Sequence, residues 1–542
     1  MPRFLHKKKR SRIGTATQEV LQGRLERITI RFAFAQLLAI ESLNLMRTTS
    51  PKLDTAHLTP NAAATLRCQT ALELKDRSEY DAAREAMLPI WNGIIGSRPN
   101  VEGLSDTVAA EVLLTTGVLT GWLGSRSELK NADDYARDLI TESITLYEAL
   151  GDSRKVAEAR SEIAYCYWRA GANDEARIYF NEALKRLTFG GNARANALIG
   201  LSFVEWAEAH YNEALKVLTD NVQTFERINN HTFKGAYHNQ IGIILEEIGA
   251  ASRKRSDYYF QRAINEYRIA DEHFQTAKNL VYRAHVKNNI ANVLRELHRF
   301  QEAHDYLEQA RRLFMRVRDK VRVAQVDDTT AQVFISERKY AEAEMTARTA
   351  ARSFKRAGRQ CFLAETLINQ GIALARLHQT ERAQFIFQQA IEIAHHAGSL
   401  NRAGLAALTM IEEIDTLPHE VQVVAYAQAR EWLASSDSPD IKPRLRAIRK
   451  KIDGIRSKSR AADVHEVLFN KRLDLRAEVL KFERGLISQT LARVNGRVTD
   501  AAKLLGVAYQ TLAYIIETKH PDLLKKRTPV RRRRRNTRYT KR

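Results

Sequence analysis

The sequence predicts an all-α protein in which a long α-solenoid of paired helices precedes a small helical domain. Three observations carry this prediction: a composition of strong helix formers, a repeated alanine pattern, and glycine-marked helix ends near the C-terminus. Alanine, leucine, arginine and glutamate dominate, whereas only 10 of the 542 residues are proline and 24 are glycine. A chain of this length exceeds one ordinary domain of ~150 residues, so several modules or one long repeat array are expected.

Residues 1–59 are predicted to form a basic arm and an amphipathic helix. The apolar stretch Ile28–Ile40 follows a basic segment, as in an export signal, but Arg31 and Gln36 interrupt it and no small-residue cleavage site follows. No uninterrupted run of ~20 apolar residues occurs in the chain, so no segment is expected to span a membrane. Residues 18–46 are therefore interpreted as a helix of a soluble, cytoplasmic protein.

An alanine pattern recurs within residues 60–434. In each copy an alanine is followed by an apolar residue four positions later, and by alanine or a small residue three positions after that. The successive intervals are 40, 38, 49, 40, 40 and 40 residues, which predicts a stack of similar helix pairs. The first alanines of the copies are Ala136, Ala176, Ala214, Ala263, Ala303, Ala343 and Ala383.

The copy around residue 171 shows the predicted helix pair. A first helix ends near Gly171, and a second opens at Asn173 and carries Phe180 and Ala183. Alanines on one face let paired helices approach closely, while larger residues fill the gaps between them. The 49-residue interval contains residues 249–256, which we interpret as a loop insertion.

Residues 60–415 resemble the tetratricopeptide repeat, with a period near 40 in place of the usual 34. The resemblance implies a superhelix whose concave groove binds a peptide, a protein or a small effector. Asn292 matches a groove asparagine that some members of this family use to hold a peptide backbone. The alternative for Asn292 is an ordinary surface position.

The positive charge lies at the ends of the chain. The net charge is +22, and residues 1–12, 441–460 and 497–542 carry +6, +8 and +11, so the rest of the chain carries −3. Clustered cations favour phosphate backbones through counterion release. Solvated, disordered tails are the alternative interpretation.

Residues 435–465 are predicted to be a linker followed by a basic helix. Serine, aspartate and proline fill residues 435–440, as in a linker. Within residues 441–460, arginine and lysine fall on more than one face of a helix. A helix that is polar all round packs poorly into a core, so we expect a spacer or an arm that contacts a nucleic-acid backbone.

Residues 466–527 are predicted to form a compact domain that begins with a helix over residues 475–494. This helix carries two apolar stripes, so one stripe can pack on its own domain and the other on a partner. Asn495 and Gly496 mark its end. The stripes are Leu475, Val479, Phe482 and Leu486, and Leu480, Ile487, Leu491 and Val494.

A helix-turn-helix is predicted to follow, in preference to a generic helical hairpin. The second helix is expected to run from Thr499, as its N-cap, to Leu505, and Gly506 supplies a turn with positive φ. The third helix is expected over residues 508–518. Ala502 is small enough for the two helices to cross closely. The predicted apolar interior consists of Ala501, Leu505, Val507, Leu512 and Ile515.

The stretch 483–516 resembles the Fis-type domain. Glu483 precedes the apolar run, and Gly496, Thr499, Ala501–Ala502 and Leu505–Gly506 match the family's G-x-x-T-x-A-A-x-x-L-G core. The resemblance implies a homodimer, joined through the helix 475–494, that places two recognition helices in successive major grooves of double-stranded DNA. Tyrosine and glutamine open the third helix where the family often has two basic residues, so the sequence preference is expected to differ.

The proposed contacts follow from the geometry of a helix in the major groove. Gln510 is expected to pair with an adenine edge, and the two tyrosines of the third helix with thymine methyls or phosphates, with packing against the tail as the alternative for the tyrosines. Residues 528–542 are predicted to be a disordered, arginine-rich tail that enters the minor groove. The DNA-binding candidates are Arg497, Thr499, Lys503, Tyr509, Gln510, Thr511, Tyr514, Lys519, Arg531, Arg532, Arg533, Arg534 and Arg535.

The sequence offers no set of residues for catalysis, a metal or a cofactor. It lacks a Gly-rich phosphate loop ending in Lys-Ser/Thr, and Val423 and Phe469 stand where two half-matches to a zinc-protease motif need histidine. The three cysteines lie far apart and lack metal-ligand spacing. We therefore expect no enzyme. The first hypothesis is a nucleoid-associated transcription regulator; the others are a scaffold whose basic tail binds RNA or DNA non-specifically, and an assembly protein without nucleic acid.

Overall fold

The structure, a computed structural model, describes residues 53–453 and 475–526 apart from residues 127–128, 130, 189, 253–254, 435 and 437–440. The predicted helix 18–46 and the arginine run Arg531–Arg535 lie outside these residues. The chain divides into two compact units after Lys450. The described part of both units is built from helices and contains no β-strand.

The first unit is a succession of antiparallel helix pairs. Its helices are α1 (Pro60–Asp76), α2 (Tyr80–Ala86), α3 (Asp106–Arg126), α4 (Ala132–Ala149), α5 (Ser153–Arg169), α6 (Asn173–Arg186), α7 (Asn192–Ala207), α8 (Tyr211–Thr219), α9 (Val222–Arg227), α10 (His231–Ala251), α11 (Ser256–Thr276), α12 (Leu280–Glu296), α13 (Phe300–Arg316), α14 (Lys320–Ser336), α15 (Tyr340–Arg356), α16 (Gln360–Arg376), α17 (Thr380–His396), α18 (Leu400–Glu413), α19 (His419–Trp432) and α20 (residues 441–453).

The 40-residue period comes from the regular helices α12 to α17. Each of these helices has 17 residues, and three-residue connections separate them. The middle residue of each connection has a positive φ, as in His298, whose N–H donates to the Arg295 carbonyl at 3.0 Å while the Arg299 N–H donates to the Leu294 carbonyl at 2.8 Å. These bonds satisfy the last carbonyls of each helix and reverse the chain. The predicted solenoid is confirmed.

The helices of the solenoid form an inner and an outer layer. We call α10, α12, α14, α16 and α18 the inner helices, and α11, α13, α15, α17 and α19 the outer helices. The inner helix α16 buries every residue from Phe362 to Leu374, whereas the outer helix α13 buries only Ala303, Leu307, Ala310 and Phe314, on one face. Helix α16 is therefore enclosed by its neighbours, other inner helices such as α14 keep partly exposed residues, and the outer helices face water.

Inner and outer helices approach closely where a glycine faces an aromatic ring. A Cβ added to Gly371 would lie 2.8 Å from the Phe387 ring, and one added to Gly242 would lie 2.6 Å from the Tyr267 ring. Both rings are fully buried. Small residues on one helix thus receive large residues of its neighbour, as the alanine pattern predicted.

The 49-residue interval corrects the predicted loop insertion. Helices α10 and α11 each have 21 residues, one turn more than the regular 17, and only residues 252–255 connect them. Gly249, predicted to lie in a loop, is buried in α10 against the Phe260 ring. The inserted residues lengthen both helices because their apolar positions continue the helical period and find partners in each other.

Helix α20 corrects the prediction of a polar spacer. Its side chains Ile441, Ile448 and Ile452 are buried, so it packs against the end of the solenoid. Arg444 is also buried and donates to Glu412 of α18 from Nε at 2.9 Å and from Nη2 at 2.6 Å. The abundance of basic residues hid this apolar face, because long basic side chains can flank a buried stripe and still reach water.

The solenoid turns far enough for its first helix pair to contact α12. The Asn279 side-chain amide, just before α12, donates to the backbone oxygen of Asp76 at 3.1 Å, across 203 residues of sequence. Tyr282 lies beside Ser78 and Lys75 in the same contact. The start of the solenoid therefore packs beside α12.

One described helix is long and apolar enough to cross a membrane. It covers Asp106–Ser125 of α3, and 78% of it is buried inside the protein. Leu113 and Leu119 of this helix lie in the hydrophobic core. Its apolar composition is therefore accounted for by packing within the solenoid.

Candidate nucleic-acid interface and inner solenoid face

Residues 475–526 of the second unit contain three helices and a short 3₁₀ turn. These are α21 (Leu475–Arg493), α22 (Val498–Leu504), α23 (Tyr509–Lys519) and the 3₁₀ turn (Pro521–Lys526). Asn495 and Gly496, both at positive φ, reverse the chain after α21, and the Gly496 N–H donates to the Leu491 carbonyl at 2.8 Å. The helix end predicted at these two residues is observed. The core of the unit consists of Ile487, Leu491, Val498, Ala501, Ala502, Leu512, Ile516 and Leu523.

The turn between α22 and α23 has the geometry of a helix-turn-helix. Gly506 has a φ of 66°, and the Val507 N–H donates to the Ala502 carbonyl at 3.0 Å. Ala502 itself is buried, so α23 crosses α22 over a small side chain. This turn fixes the direction in which α23 presents its outer face.

Three details of the predicted domain are wrong. Helix α22 begins at Val498 with Arg497 as N-cap, so Thr499 lies inside the first turn and does not cap the helix. Val507, placed in the interior by its apolar character, is 38% exposed because the turn carries it away from the core. Ile516, which the sequence interpretation omitted, is fully buried, whereas Ile515 is only partly buried.

Helix α23 separates an apolar face from a polar one. Leu512 and Ile516 point into the core, and Gln510 and Tyr514 lie on the opposite side of the helix. Tyr514 is 65% exposed and Tyr509 is 44% exposed, so neither tyrosine is buried in the core. Gln510 is the second residue of α23, the end at which recognition helices meet base edges.

The same outer face carries an acid that the sequence interpretation missed. Glu517 lies three positions after Tyr514 and seven after Gln510, and is exposed. This spacing places all three side chains in one row. A carboxylate there can accept a hydrogen bond from a cytosine amino group but repels phosphate, so it favours base contacts over backbone contacts.

The remaining candidates surround this row at the surface. Lys503, Thr499 and Thr511 are exposed. Arg497 is exposed and lies 3.8 Å from Asp500, and Lys519 lies 3.5 Å from Glu483. Exposed pairs at these distances are weak, so both cations can exchange their partner for phosphate.

Glu483, part of the family signature, joins α21 to the end of the domain. Its Oε2 lies 3.0 Å from Nε2 of His520, which is 3% exposed. The neighbouring Arg484 donates to Asp522 from Nη2 at 2.6 Å and, by this hydrogen bond, lowers the pKa of Asp522. These contacts hold the 3₁₀ turn against α21.

Helix α21 exposes part of its apolar surface. Ile487 and Leu491 of the second stripe are buried in the domain, whereas Leu480 and Leu486 are 40% and 44% exposed. The side chains of Leu475, Val479 and Phe482 lie outside the described ones. Gly485 lies beside Leu486, and a Cβ added there would meet no atom within 4 Å.

Asn292 lies on the inner face of the solenoid. Its side chain is only 7% exposed, and its Oδ1 has no hydrogen-bond partner. Asn288, one turn earlier on α12, is 6% exposed and its Oδ1 is likewise unpartnered. A buried acceptor without a donor is unfavourable, which marks this inner face as polar surface with unused binding capacity.

The cysteines lie within the solenoid. Burial raises the pKa of Cys68 and of Cys166 to about 12, so both are neutral thiols at physiological pH. Within the described residues no group of three or more His, Cys, Asp or Glu side chains has an arrangement that could hold a metal ion.

Comparison with known families assigns the C-terminal segment. Residues 479–516 match the model of the bacterial regulatory protein, Fis family. Residues 479–516 of the second unit form a Fis-family helix-turn-helix. Together with the helix pairs of the first unit, this makes the chain a tetratricopeptide-like repeat protein with a C-terminal Fis-family domain. No curated protein matches the sequence.

Solved structures similar to this chain include helical-repeat proteins. A Rap protein complexed with Competence and Sporulation Factor is 12% identical, with 64% of this chain and 99% of that chain covered and a TM-score of 0.42. The apo quorum sensor NprR from B. thuringiensis is 14% identical, with coverage of 63% and 90% and a TM-score of 0.43. Yeast Tom70 is 10% identical, with coverage of 76% and 86% and a TM-score of 0.43.

Proposed function

We propose that the protein is a transcription regulator whose C-terminal domain reads double-stranded DNA and whose solenoid binds a protein, a peptide or a small effector. The observation that carries the proposal is the exposed row of Gln510, Tyr514 and Glu517 on a helix that the Gly506 turn directs outward, within a Fis-family domain. This row combines a bidentate amide, an aromatic ring and a carboxylate, which are groups that read base edges.

The exposed Tyr509, Gln510 and Tyr514 of α23 each have a role in this proposal. Gln510 donates to and accepts from an adenine edge in the major groove, which discriminates against other bases. Tyr514 packs on a thymine methyl, and Tyr509, near the start of the helix, donates its hydroxyl to phosphate. Direct reading of the sequence therefore rests on Gln510 and Tyr514, with the Glu517 carboxylate of the same row available to a cytosine amino group.

Basic and hydroxyl side chains around α23 hold the DNA backbone in this proposal. Lys503, Thr511 and Lys519 contact phosphates on either side of the groove, together with Arg497 and Thr499 near the start of α22. Residues 497–542, which include the run Arg531–Arg535, carry +11 and supply salt-dependent affinity that does not depend on sequence.

The exposed apolar side chains of α21 support a homodimer. Leu480 and Leu486 would be covered by the same helix of a second copy. Two recognition helices related by a two-fold axis reach half-sites one helical turn, about 34 Å, apart. The protein would act at the bacterial nucleoid in the cytoplasm, by binding and not by catalysis.

Selection from a random duplex library tests the DNA proposal. The full chain is incubated with the library at near-physiological salt, and the bound duplexes are sequenced. We expect a palindromic motif. Gln510→Ala should weaken discrimination at one base pair of each half-site by about 1–3 kcal/mol, whereas Lys503→Ala should lower affinity for every duplex about equally and reduce the salt slope by about one.

The other outcomes separate the competing functions. If no motif is enriched, and deletion of residues 528–542 lowers binding to RNA and DNA equally, the protein is a scaffold with a polyanion-binding tail. If the full chain binds no duplex at low salt, it acts in protein assembly without nucleic acid.

A further inference from the structure

The inner helix α14 carries a carboxylate that lacks a cationic partner. Asp328 is partly buried, and its Oδ1 accepts a hydrogen bond from the Asn369 amide of α16 at 3.0 Å. Its Oδ2 accepts from the Gln332 amide at 3.3 Å. Both donors are neutral, and no lysine or arginine of the described residues lies within ion-pair distance of Asp328.

The acids near Asp328, in contrast, have cationic partners. Asp327, the next residue, faces Arg311 at 2.9 Å, and Glu365 of α16 faces Arg402 at 3.5 Å. Guanidinium groups are thus available nearby but are aimed at other carboxylates. The negative charge of Asp328 is held by amides and left uncompensated.

Further acceptors without donors lie on α14 and on the adjacent inner helix α12. Gln332, which is 3% exposed, uses its amide nitrogen on Asp328, and its Oε1 has no partner. Asn288 and Asn292 of α12 occupy the equivalent positions one 40-residue repeat before Asp328 and Gln332, on a helix that contacts α14. Their Oδ1 atoms are also unpartnered. Helices α12 and α14 therefore offer several oxygens that have no hydrogen-bond donor.

We propose that this inner face binds a cationic group, an ammonium or a guanidinium, at Asp328. The proposal rests on the proposed function, since it names the chemistry that the solenoid's ligand would carry. A guanidinium supplies five N–H donors and no acceptor, which matches a carboxylate flanked by unpartnered amide oxygens. Asp328 keeps some exposure to solvent, so a ligand can reach it.

The cation could belong to a peptide side chain or to a free amine. Gln325, one turn before Asp328 on the same face of α14, has an unpartnered Nε2 donor. That donor can bind a carbonyl oxygen, which a peptide has and a simple polyamine lacks. The structure therefore favours a basic side chain of a peptide.

Calorimetric titration of the full chain tests the proposal. The probes are acetyl-Ala-Ala-Arg-Ala-Ala-amide, the same peptide with uncharged citrulline in place of arginine, and spermidine. We expect the arginine peptide to bind the wild-type protein at least tenfold more tightly than the citrulline peptide. Asp328→Asn should weaken the arginine peptide at least tenfold, whereas the matched control Asp327→Asn should leave its binding unchanged.

A second variant covers a failure of Asp328→Asn to fold. Gln332→Leu removes both the unpartnered Oε1 and the amide that donates to Asp328, without changing the charge, and we expect it to weaken the arginine peptide several-fold. If spermidine binds and the arginine peptide does not, and Asp328→Asn abolishes the binding of spermidine, the cation site stands and the cation comes from a free amine. The proposal is overturned if neither cation binds the wild-type protein, or if the two site variants bind both cations as the wild type does. The protein would still select a DNA motif in that case, so failure of the cation site can be distinguished from failure of the proposed DNA-binding function.

Discussion

The inner helices of the solenoid and the recognition helix α23 place their polar side chains in opposite ways. On α23 the polar row of Gln510 and Tyr514 faces water, and the apolar residues Leu512 and Ile516 face the core. On the inner helices, polar side chains such as Asn292 and Gln332 are buried among apolar ones. The two candidate binding surfaces therefore differ in that α23 exposes its polar side chains, whereas the inner helices bury theirs.

The difference bears on how each surface selects a ligand. Exposed groups on α23 exchange water for base edges, so each contact contributes modestly and discrimination depends on geometry. Buried amides on the inner helices are held by their neighbours before a ligand arrives, as Asn369 holds Asp328. An unpaired buried group is unfavourable, so a ligand that pairs it gains that energy and one that does not is rejected.

The buried acids of the inner helices should make the stability of the protein depend on pH, and this is the largest expected effect. Burial raises the pKa of Glu365 to about 8, more than Arg402 lowers it, and burial also raises the pKa of Asp328 to about 6. The folded state therefore keeps the Glu365 proton up to about pH 8, whereas the unfolded chain loses it above its ordinary pKa near 4.5. The free energy of unfolding should fall by roughly 2 kcal/mol between pH 6 and pH 8 through this group.

Urea unfolding at pH 6 and pH 8 measures this effect. Glu365→Gln should remove most of the loss, because a neutral amide does not titrate. Glu342→Gln, an exposed acid on the outer helix α15, is the control and should follow the wild type. Equal pH dependence in all three proteins would show that Glu365 is ionised throughout and is compensated by Arg402.

The solenoid could be predicted from the sequence because its packing needs small residues at fixed positions. Ala303, Ala343 and Ala383 are all fully buried where an outer helix meets its neighbours. A substitution to a larger side chain would separate the layers, so the 40-residue spacing is visible in the sequence. The connections are less constrained: His298 and Gly358 both supply the positive φ that reverses the chain.

The errors arose where two arrangements share one pattern. A helix lengthened by a turn and a loop insertion both stretch the repeat interval, so the sequence could not separate them at Gly249. The buried face of α20 was hidden because its isoleucines alternate with arginines and lysines. In the C-terminal domain, adjacent apolar residues such as Ile515 and Ile516 could not be ranked without the angle at which α23 crosses α22.

The two candidate sites were unequally predictable for the same reason. Gln510 follows a recognisable turn, so its position on the outer face of α23 follows from the helical period. Asp328 lies in a helix among other charged residues and resembles a surface acid in the sequence. Its partner Asn369 is 41 residues away, and that pairing exists only after the repeats stack.

Two asparagines of α12 test whether the inner face is a structural core or a binding surface. Asn289 donates to the Asn239 Oδ1 of α10 at 3.2 Å, whereas the Asn292 Oδ1 has no partner. Asn289→Leu should lower the free energy of unfolding by about 1–3 kcal/mol, because it leaves the Asn239 oxygen buried and unpaired. Asn292→Leu, of similar volume, should change it by less than about 1 kcal/mol. Urea unfolding of both variants at one pH makes the measurement, and equal losses would show that Asn292 also serves the core.

Gly485 gives the smallest expected effect and tests the surface of α21. Gly485→Ala adds a methyl group that meets no atom within 4 Å, and alanine is favoured over glycine in a helix by about 1 kcal/mol. The isolated helix should therefore be stabilised. If the face that carries Leu486 forms the homodimer, the same methyl group enters the interface, and sedimentation equilibrium should show weaker dimerisation.

The matched control for this change is Gly506→Ala. Gly506 has a φ of 66°, which strains an alanine, so the same substitution should lower the melting temperature of the C-terminal domain. Its position in the turn is remote from α21 in sequence, so dimerisation measured below the melting temperature should not change. Stabilisation by Gly485→Ala with unchanged dimerisation would place the dimer contact on another face of α21, and the exposed Leu486 would then need a different partner.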